Sequence, residues 1–299
     1  MVMNRVDPEL FQACFTDWAL DLRPDAPDLI AIDGKTSRRT HDRARGRRAL
    51  HLVSAWATSE RLVLAQQAVD EKENECAAIP QLLQRLALKG ALVTIDAIAC
   101  NPAIAAAIRD QGGDYLLAVK ANQPTLHNEI VAYFDDPAPG EVAVHVEIDK
   151  GHGRLETRRY ALSHNVGWLS SERRYPHETR FRDLTCIARV EAEIEQAGTT
   201  TRAIRYYLSS ADLSPERLAH GVRGHWGIEN GLHWVLDVIF RDDQSRLRRG
   251  HGARNMAIVR HFAINLVRLG KGTRSIKTMR KLAGWKPNEL ARILTPPPC

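Results

Sequence analysis

The sequence contains no apolar run that approaches the roughly 18 to 20 residues a membrane helix requires. Its opening, Met1-Val-Met-Asn-Arg-Val-Asp-Pro8, holds no signal-peptide core. These absences count against a membrane-spanning or exported protein, and the expected location is the cytoplasm. Disulfide and zinc frameworks are missing too. The five cysteines, Cys14, Cys76, Cys100, Cys186 and Cys299, are scattered and odd in number with no C-x-x-C pair, so packing is the role expected of them.

What is present is a chain of 299 residues, long enough for a sizeable core, with the 44% apolar and 26% charged content of an ordinary globular protein. Its net charge of +6 favours a polyanionic partner. The distribution is more telling. Between Lys35 and Arg48 seven basic residues (Lys35, Arg38, Arg39, Arg43, Arg45, Arg47, Arg48) face only Asp42. A second cluster places six arginines between Arg241 and Arg260, and a third holds Arg268, Lys271, Arg274, Lys277, Arg280 and Lys281. Each alone reads equally well as a solvated loop or helix face; together they point to a nucleic-acid backbone, whose affinity for protein is dominated by phosphate neutralisation.

Taken in order, residues 1–28 form a lead-in with a helix over Pro8 to Leu20. Leu29-Ile-Ala-Ile32 reads as a buried strand delivering Asp33-Gly34-Lys35 at its end. Two more strands, Ala49 to Ala57 and Arg61 to Val69, are joined by a hairpin at Thr58 to Arg61. A helix over Asn74 to Leu88, a strand Ala91 to Ile95 ending at Asp96, a helix Pro102 to Gln111 and a strand Asp114 to Lys120 follow, with Ala121 to Pro124 as its exit. This order, strand-strand-strand-helix-strand-helix-strand, is that of an α/β ribonuclease H-like fold, a mixed sheet flanked by helices. In that fold the first and fourth strands are neighbours, so their acids can meet. Residues 29–139 are thus expected as the first part of the core.

After a helix from Thr125 to Phe134, residues 140–210 read as a β-rich insertion, with strands at Val142 to Ile148, Arg154 to Leu162, Leu184 to Ile194 and Arg202 to Leu208. The sequence leaves open whether this is a separate lobe or an extension of the sheet. Residues 211–299 then form a helical part. Ser214-Pro215 opens a helix along which Ile228, Leu232, Val235 and Ile239 share a core-facing stripe. Glu229 borders that stripe, with His225 and His233 on neighbouring turns and Trp226, Asn230 and Asp237 further round. Gly224, Gly227 and Gly231 lie opposite, where a close backbone approach would explain three residues that each cost a helix about 1 kcal/mol. The tail reads as two amphipathic helices, Met256 to Leu269 and Ser275 to Leu294, ending in Pro296-Pro-Pro-Cys299.

A carboxylate inside the apolar run around Glu229 requires a reason. Three acids arriving from two strands and a helix, Asp33, Asp96 and Glu229, can hold two divalent cations about 4 Å apart around a scissile phosphate. Magnesium suits such a site, since it binds through few carboxylates and keeps waters and phosphate oxygens as ligands, and manganese is the expected substitute. Each acid also has a purely structural reading: a turn at Asp33-Gly34, a helix cap at Asp96, a boundary ion pair at Glu229.

Four segments carry a family resemblance: Ile32 to Lys35; Ile95-Asp96-Ala97; Tyr115 to Val119 with Lys120-Ala-Asn122-Gln123-Pro-Thr-Leu126; and His225-Trp226-Gly-Ile228-Glu229-Asn230-Gly-Leu232-His233-Trp234-Val-Leu236-Asp237 onward to Asp243. His152-Gly-Arg154-Leu-Glu156-Thr-Arg158 adds to them. The chain resembles the DDE transposases of bacterial insertion sequences, in the group that includes the H-repeat-associated proteins. The resemblance implies Asp33, Asp96 and Glu229 as the metal-binding triad, magnesium-dependent cleavage at transposon ends and attack of the freed 3′-hydroxyl on target DNA. It further implies a homodimer on double-stranded DNA and association with the nucleoid. Candidate DNA contacts are Lys35, Arg38, Arg39, Lys120, Asn122, Gln123, Arg154, Arg223, His225, Trp226, Asn230 and His233. Related transposases with a Tyr, Arg, Glu, Lys signature would place Tyr, Arg and Lys where this chain has Val222, His225 and Leu236, which leaves Arg223 as a substitute phosphate contact. Relatives usually carry a longer segment ahead of the first aspartate than the 32 residues here. A same-fold metal-dependent nuclease and a shortened, noncatalytic DNA-binding remnant are therefore the alternatives.

Overall fold

The computed structural model describes residues 2–23, 25–69, 74–120, 122–151, 153–170 and 181–295. Ala121, His152, the stretch 171–180 and the terminal Pro296 to Cys299 lie outside them. The chain divides into two units, Met1–Ala87 with Trp226–Cys299, and Leu88–His225.

In the first unit, helix α1 (Pro8–Leu22) is capped by Asp7, whose carboxylate accepts from the Glu9 and Leu10 amides. Strands β1 (Leu29–Ser37), β2 (Leu50–Ala57) and β3 (Leu62–Ala68) form the antiparallel meander expected from their alternating and continuous apolar runs. Strand β1 does not stop at Asp33. It continues to Ser37, pairing Asp33 with Ser54, Lys35 with Leu52 and Ser37 with Leu50. Asp33 is therefore a mid-strand residue and not part of a turn. A Cβ at Gly34 would displace the ends of the Glu75 and His51 side chains, which fill the space over this residue. Helix α2 spans Glu75–Leu83.

The second unit holds β4 (Leu92–Ile95), α3 (Pro102–Asp110), β5 (Asp114–Val119), α4 (Pro124–Asp135), β6 (Ala143–Gly151), β7 (Arg154–Ser163), the single turn α5 (Gly167–Ser170), β8 (Cys186–Gln196), β9 (Thr199–Ser209) and α6 (Pro215–His225). Strands β4 and β5 are parallel, joined through α3, and all later pairings are antiparallel. Within this unit the order is β4-β5-β9-β8-β7-β6, so the late strands extend the sheet through the β5 to β9 pairing. The proximal ends of β7, β8 and β9 are buried and the distal ends exposed. Helix α6 lies close on β4 and β5: a Cβ on Gly221 would come within 2.8 Å of Leu116 and 3.2 Å of Leu92.

The rest of the first unit is helical. The run expected as one α-helix through Glu229 is instead wound as two π-helical turns, Glu229–His233 and Val235–Ile239, with the Phe240 amide bonded to the Val235 carbonyl at 3.1 Å. Its expected stripe packs as read: Ile228, Leu232, Val235 and Ile239 join Trp56, Ala31, Val63 and Phe15 in one core cluster. The glycine face is buried as well. A Cβ on Gly231 would sit 2.6 Å from the Trp56 ring, which accounts for glycine at that point of backbone contact. Helix α7 (Gly252–Gly270) completes the layer, and its Asn265 side chain bonds both the amide and the carbonyl of Val63 at 2.9 and 2.8 Å. The last expected helix is two: α8 (Ile276–Trp285) and α9 (Pro287–Leu294), separated at extended Lys286. Pro287 is the cause, since a residue before proline is pushed from the helical region. Among the described residues no helix is long and apolar enough to cross a membrane.

Candidate metal centre and its surroundings

Strand β1 and the first π turn bring Asp33, Glu229 and His233 together. One donor atom from each lies within 4.8 Å of the others. His233 Nδ1 is 3.5 Å from Asp33 Oδ2 and 3.4 Å from Glu229 Oε2. The imidazole is buried, Asp33 mostly so, and Glu229 half-exposed, so the group opens to solvent on the glutamate side. Among the described residues neither carboxylate has a Lys or Arg within ion-pair reach. Burial, with the charges of Glu229 and Glu75, pushes the Asp33 carboxyl from 3.8 up to about 6, against the lowering pull of His233 and the Gly34 amide. Glu229 shifts down, chiefly through its hydrogen bond with His233, although burial opposes this. A largely buried acid beside a second, half-exposed one, with no Lys or Arg at either, is the chemistry a divalent ion satisfies, and the donor set fits one.

Asp96 belongs to the second unit, immediately after β4. It does not cap α3, a task taken by Asn101, whose Oδ1 accepts from the Ala103 amide at 2.8 Å. Its turn is instead braced from the end of β5. Asn122 Nδ2 donates to the Ala97 carbonyl at 2.7 Å, and Gln123 Nε2 to the Cys100 carbonyl at 3.1 Å. Lys120 Nζ reaches the Asp96 carboxylate at 3.3 Å. Burial raises the Asp96 pKa, but the Ala97 amide, the Lys120 ammonium and the nearby His225 outweigh it and hold the carboxyl below its ordinary value. His225 Nδ1 lies 3.1 Å from Thr94 Oγ1.

The other candidates fall into two groups. Lys35 is largely buried, with Asp237 at 2.7 Å, and Arg38 is exposed with Asp243 at 3.3 Å. Arg154 pairs with the buried Glu156, and Arg223 with Glu147 at 3.1 Å and Asp149 at 3.7 Å. These cations are thus neutralised within the chain. Arg39, Trp226 and Asn230 are left on the surface or near it. At the positions where Tyr and Lys were expected, Val222 and Leu236 are both buried. The first two basic clusters meet: Arg47 donates to the Arg248 carbonyl, and Arg248 Nε to the Arg39 carbonyl at 3.1 Å. Arg45, Arg246, Arg248 and Arg249 line one cavity of about 450 Å³.

Two features were absent from the sequence reading. His51, Nε2 2.7 Å from Glu75 Oε1 and Nδ1 2.7 Å from Thr36 Oγ1, stands beside Gly34; its placement opposite Thr36 follows from the β1 to β2 register alone. A second acid cluster, Asp237, Asp242 and Asp243, is saturated with cations, since besides Lys35 and Arg38 it has Arg260 at 2.5 Å from Asp242. Of the cysteines, burial pushes the Cys100 and Cys186 thiols up to about 12 and 11, while Cys14 is exposed.

Two acids and a histidine brought together by a strand and a helical turn make this a candidate divalent-metal centre. The transposase DDE domain family profile matches residues 24–266, and the chain belongs to that family. The H repeat-associated protein YhhI of Escherichia coli K12 is 37% identical over 98% of this chain and 78% of its own length. YncI of Escherichia coli O157:H7 is 36% identical over 94% and 72%, and both are named provisionally as transposases. A protein encoded in the dhlA 3′ region of Xanthobacter autotrophicus is 39% identical over 72% and 71%. Among solved structures, a piggyBac transposase in a synaptic complex with hairpin DNA aligns with a TM-score of 0.46 at 10% identity, covering 98% of this chain and 62% of that one. Family membership makes transposase the functional class and implies dependence on a divalent metal and on DNA.

Proposed function

We propose that the chain is a DNA transposase that cleaves at the ends of an insertion sequence and joins the freed 3′-hydroxyl to target DNA, with Asp33, Asp96 and Glu229 as its metal-binding carboxylates. The observation that supports this reading best is the Asp33–Glu229–His233 group: two acids with no Lys or Arg within ion-pair reach among the described residues, their donors within 4.8 Å, in a family named for such acids. Bound magnesium, two ions per site, supplies charge for the scissile phosphate and activation of the attacking hydroxyl; manganese substitutes. Asp96 enters the set through its motif and its exposed, cation-paired carboxylate. Lys120, held against Asp96, exchanges this partner for phosphate when DNA binds. Asn122 and Gln123 keep the Asp96 turn in place. Arg39 and the joined clusters around Arg248 track the DNA backbone.

We read residues 29–139 and 211–299 as the catalytic core and 140–210 as its insertion. The active species is a homodimer that synapses two ends, by analogy with strand transfer at paired termini, and works in the cytoplasm at the nucleoid. The test is incubation of purified protein with magnesium or manganese and DNA bearing the inverted repeats that flank its gene. Nicked and joined products are expected from the wild type, and neither from Asp96→Asn or Glu229→Gln. Hydrolysis without joined product assigns the chain to the metal-dependent nucleases. A chain in which Asp96→Asn alters neither products nor metal binding is a noncatalytic DNA-binding protein.

A further inference from the structure

His233 occupies an unusual position for a packing residue. Its side chain is 7% exposed, yet Nδ1 is directed at two carboxylates, and Nε2 is buried without a hydrogen-bond partner among the described residues. A carboxylate is an ordinary partner for one histidine nitrogen; here a single ring nitrogen faces two carboxylates at once, an arrangement that one bound cation would hold together. The π turn supplies the aim. Glu229 and His233 are its first and last residues, and the ring is clamped at the level of the core residues Leu232 and Ile228. Donor separations of 3.4 and 3.5 Å are close to those of adjacent ligands on one ion, about 3 Å for bonds of about 2.1 Å. The neighbouring acid cluster at Asp237, Asp242 and Asp243 provides a contrast: Lys35, Arg38 and Arg260 already neutralise it, whereas among the described residues no Lys or Arg reaches Asp33 or Glu229.

We infer that His233 is a nitrogen ligand to the divalent cation held by Asp33 and Glu229, making this a mixed nitrogen and oxygen site that accepts magnesium and binds manganese more tightly. The inference rests on the reading of Asp33 and Glu229 as metal ligands. Imidazole raises affinity for first-row transition ions, and magnesium, which takes oxygen donors, gains little from it. This role is distinct from a contact to DNA, which a ring buried to this depth does not reach.

The test uses tag-free, full-length protein titrated with manganese alone, followed by electron spin-echo modulation and by competition with magnesium. Bound manganese is expected to show nitrogen modulation that changes frequency when histidine is labelled with nitrogen-15 and disappears in His233→Asn. Manganese affinity in that variant falls at least tenfold, the lower bound for disturbing a ligand set, and magnesium affinity changes less than threefold. His233→Asp binds both metals without the nitrogen signal. Absence of nitrogen modulation in the wild type, which needs no variant to fold, overturns the inference, as does its persistence in His233→Asn. If Asp33→Asn leaves manganese affinity unchanged, the carboxylate reading itself is wrong. If Asp33→Asn weakens binding while the wild type shows no nitrogen coupling, only the role of His233 falls.

Discussion

Replacing Asp33 by Asn should stabilise the metal-free protein, although it should also disable it. Asp33 is buried beside Glu229 and Glu75, and its carboxyl rises from 3.8 to about 6. A rise of about two pH units corresponds to about 3 kcal/mol of preference for the protonated form. The sign follows from proton binding. Between pH 4 and 6 the unfolded chain has released this proton while the folded chain retains it. Stability contributed by the neutral acid is thus lost as pH rises, and the full cost of about 3 kcal/mol is present above pH 6. At pH 5 the cost is about half of that, and near pH 4 it is almost gone. Asparagine cannot ionise and keeps the shape. In EDTA at pH 8 the variant should therefore melt higher than the wild type by about 5 °C, given unfolding entropies of about 2 cal/mol/K per residue. The advantage should shrink at pH 5. Saturating manganese should reverse the order at pH 8, because only the wild type gains binding energy. Thermal denaturation across these conditions is the assay. An unchanged or lowered midpoint for Asp33→Asn in EDTA at pH 8, or a difference that does not depend on pH, refutes the reasoning.

Arg260→Ala should cost about 3 to 5 kcal/mol in chemical denaturation, since it strands the nearly fully buried Asp242 with only Ser37 as partner. Gly231→Ala should cost about 1 to 3 kcal/mol, as its methyl would meet the Trp56 ring at 2.6 Å; a companion Trp56→Phe should recover part of this if the clash is the cause. Arg268 stacks on Trp56 at 4.4 Å and donates to the Gly231 and Arg61 carbonyls, bracing the π turns. Its replacement by Met should weaken manganese binding more than global stability, with hydrogen exchange at Glu229 to His233 as the local readout.

Periodicity was enough to locate nearly every element. Apolar runs of strand length, the proline at the first position of α3 and the stripe Ile228, Leu232, Val235, Ile239 are local patterns, and each was observed within a few residues. The break at Pro287 was legible too, since Lys286-Pro287 is a helix boundary by backbone sterics, but amphipathic spacing across it masked the signal.

The sequence by itself determined the family, through a long motif around Glu229, and the chemical types available, acids flanked by basic clusters with no cysteine and histidine set. Tertiary structure decided which charges are spent. Lys35 and Asp237, or Ser37 and Asp242, are about 200 residues apart, and nothing local foretells that they meet. It also decided that His233 turns toward Asp33 and not outward, because the π winding and the Trp56 contact at Gly231 set the rotation of that helix. The physical reason is range. Propensity and periodicity act over one or two turns, whereas the neutralisation of a buried charge depends on whatever the fold brings within a few ångströms.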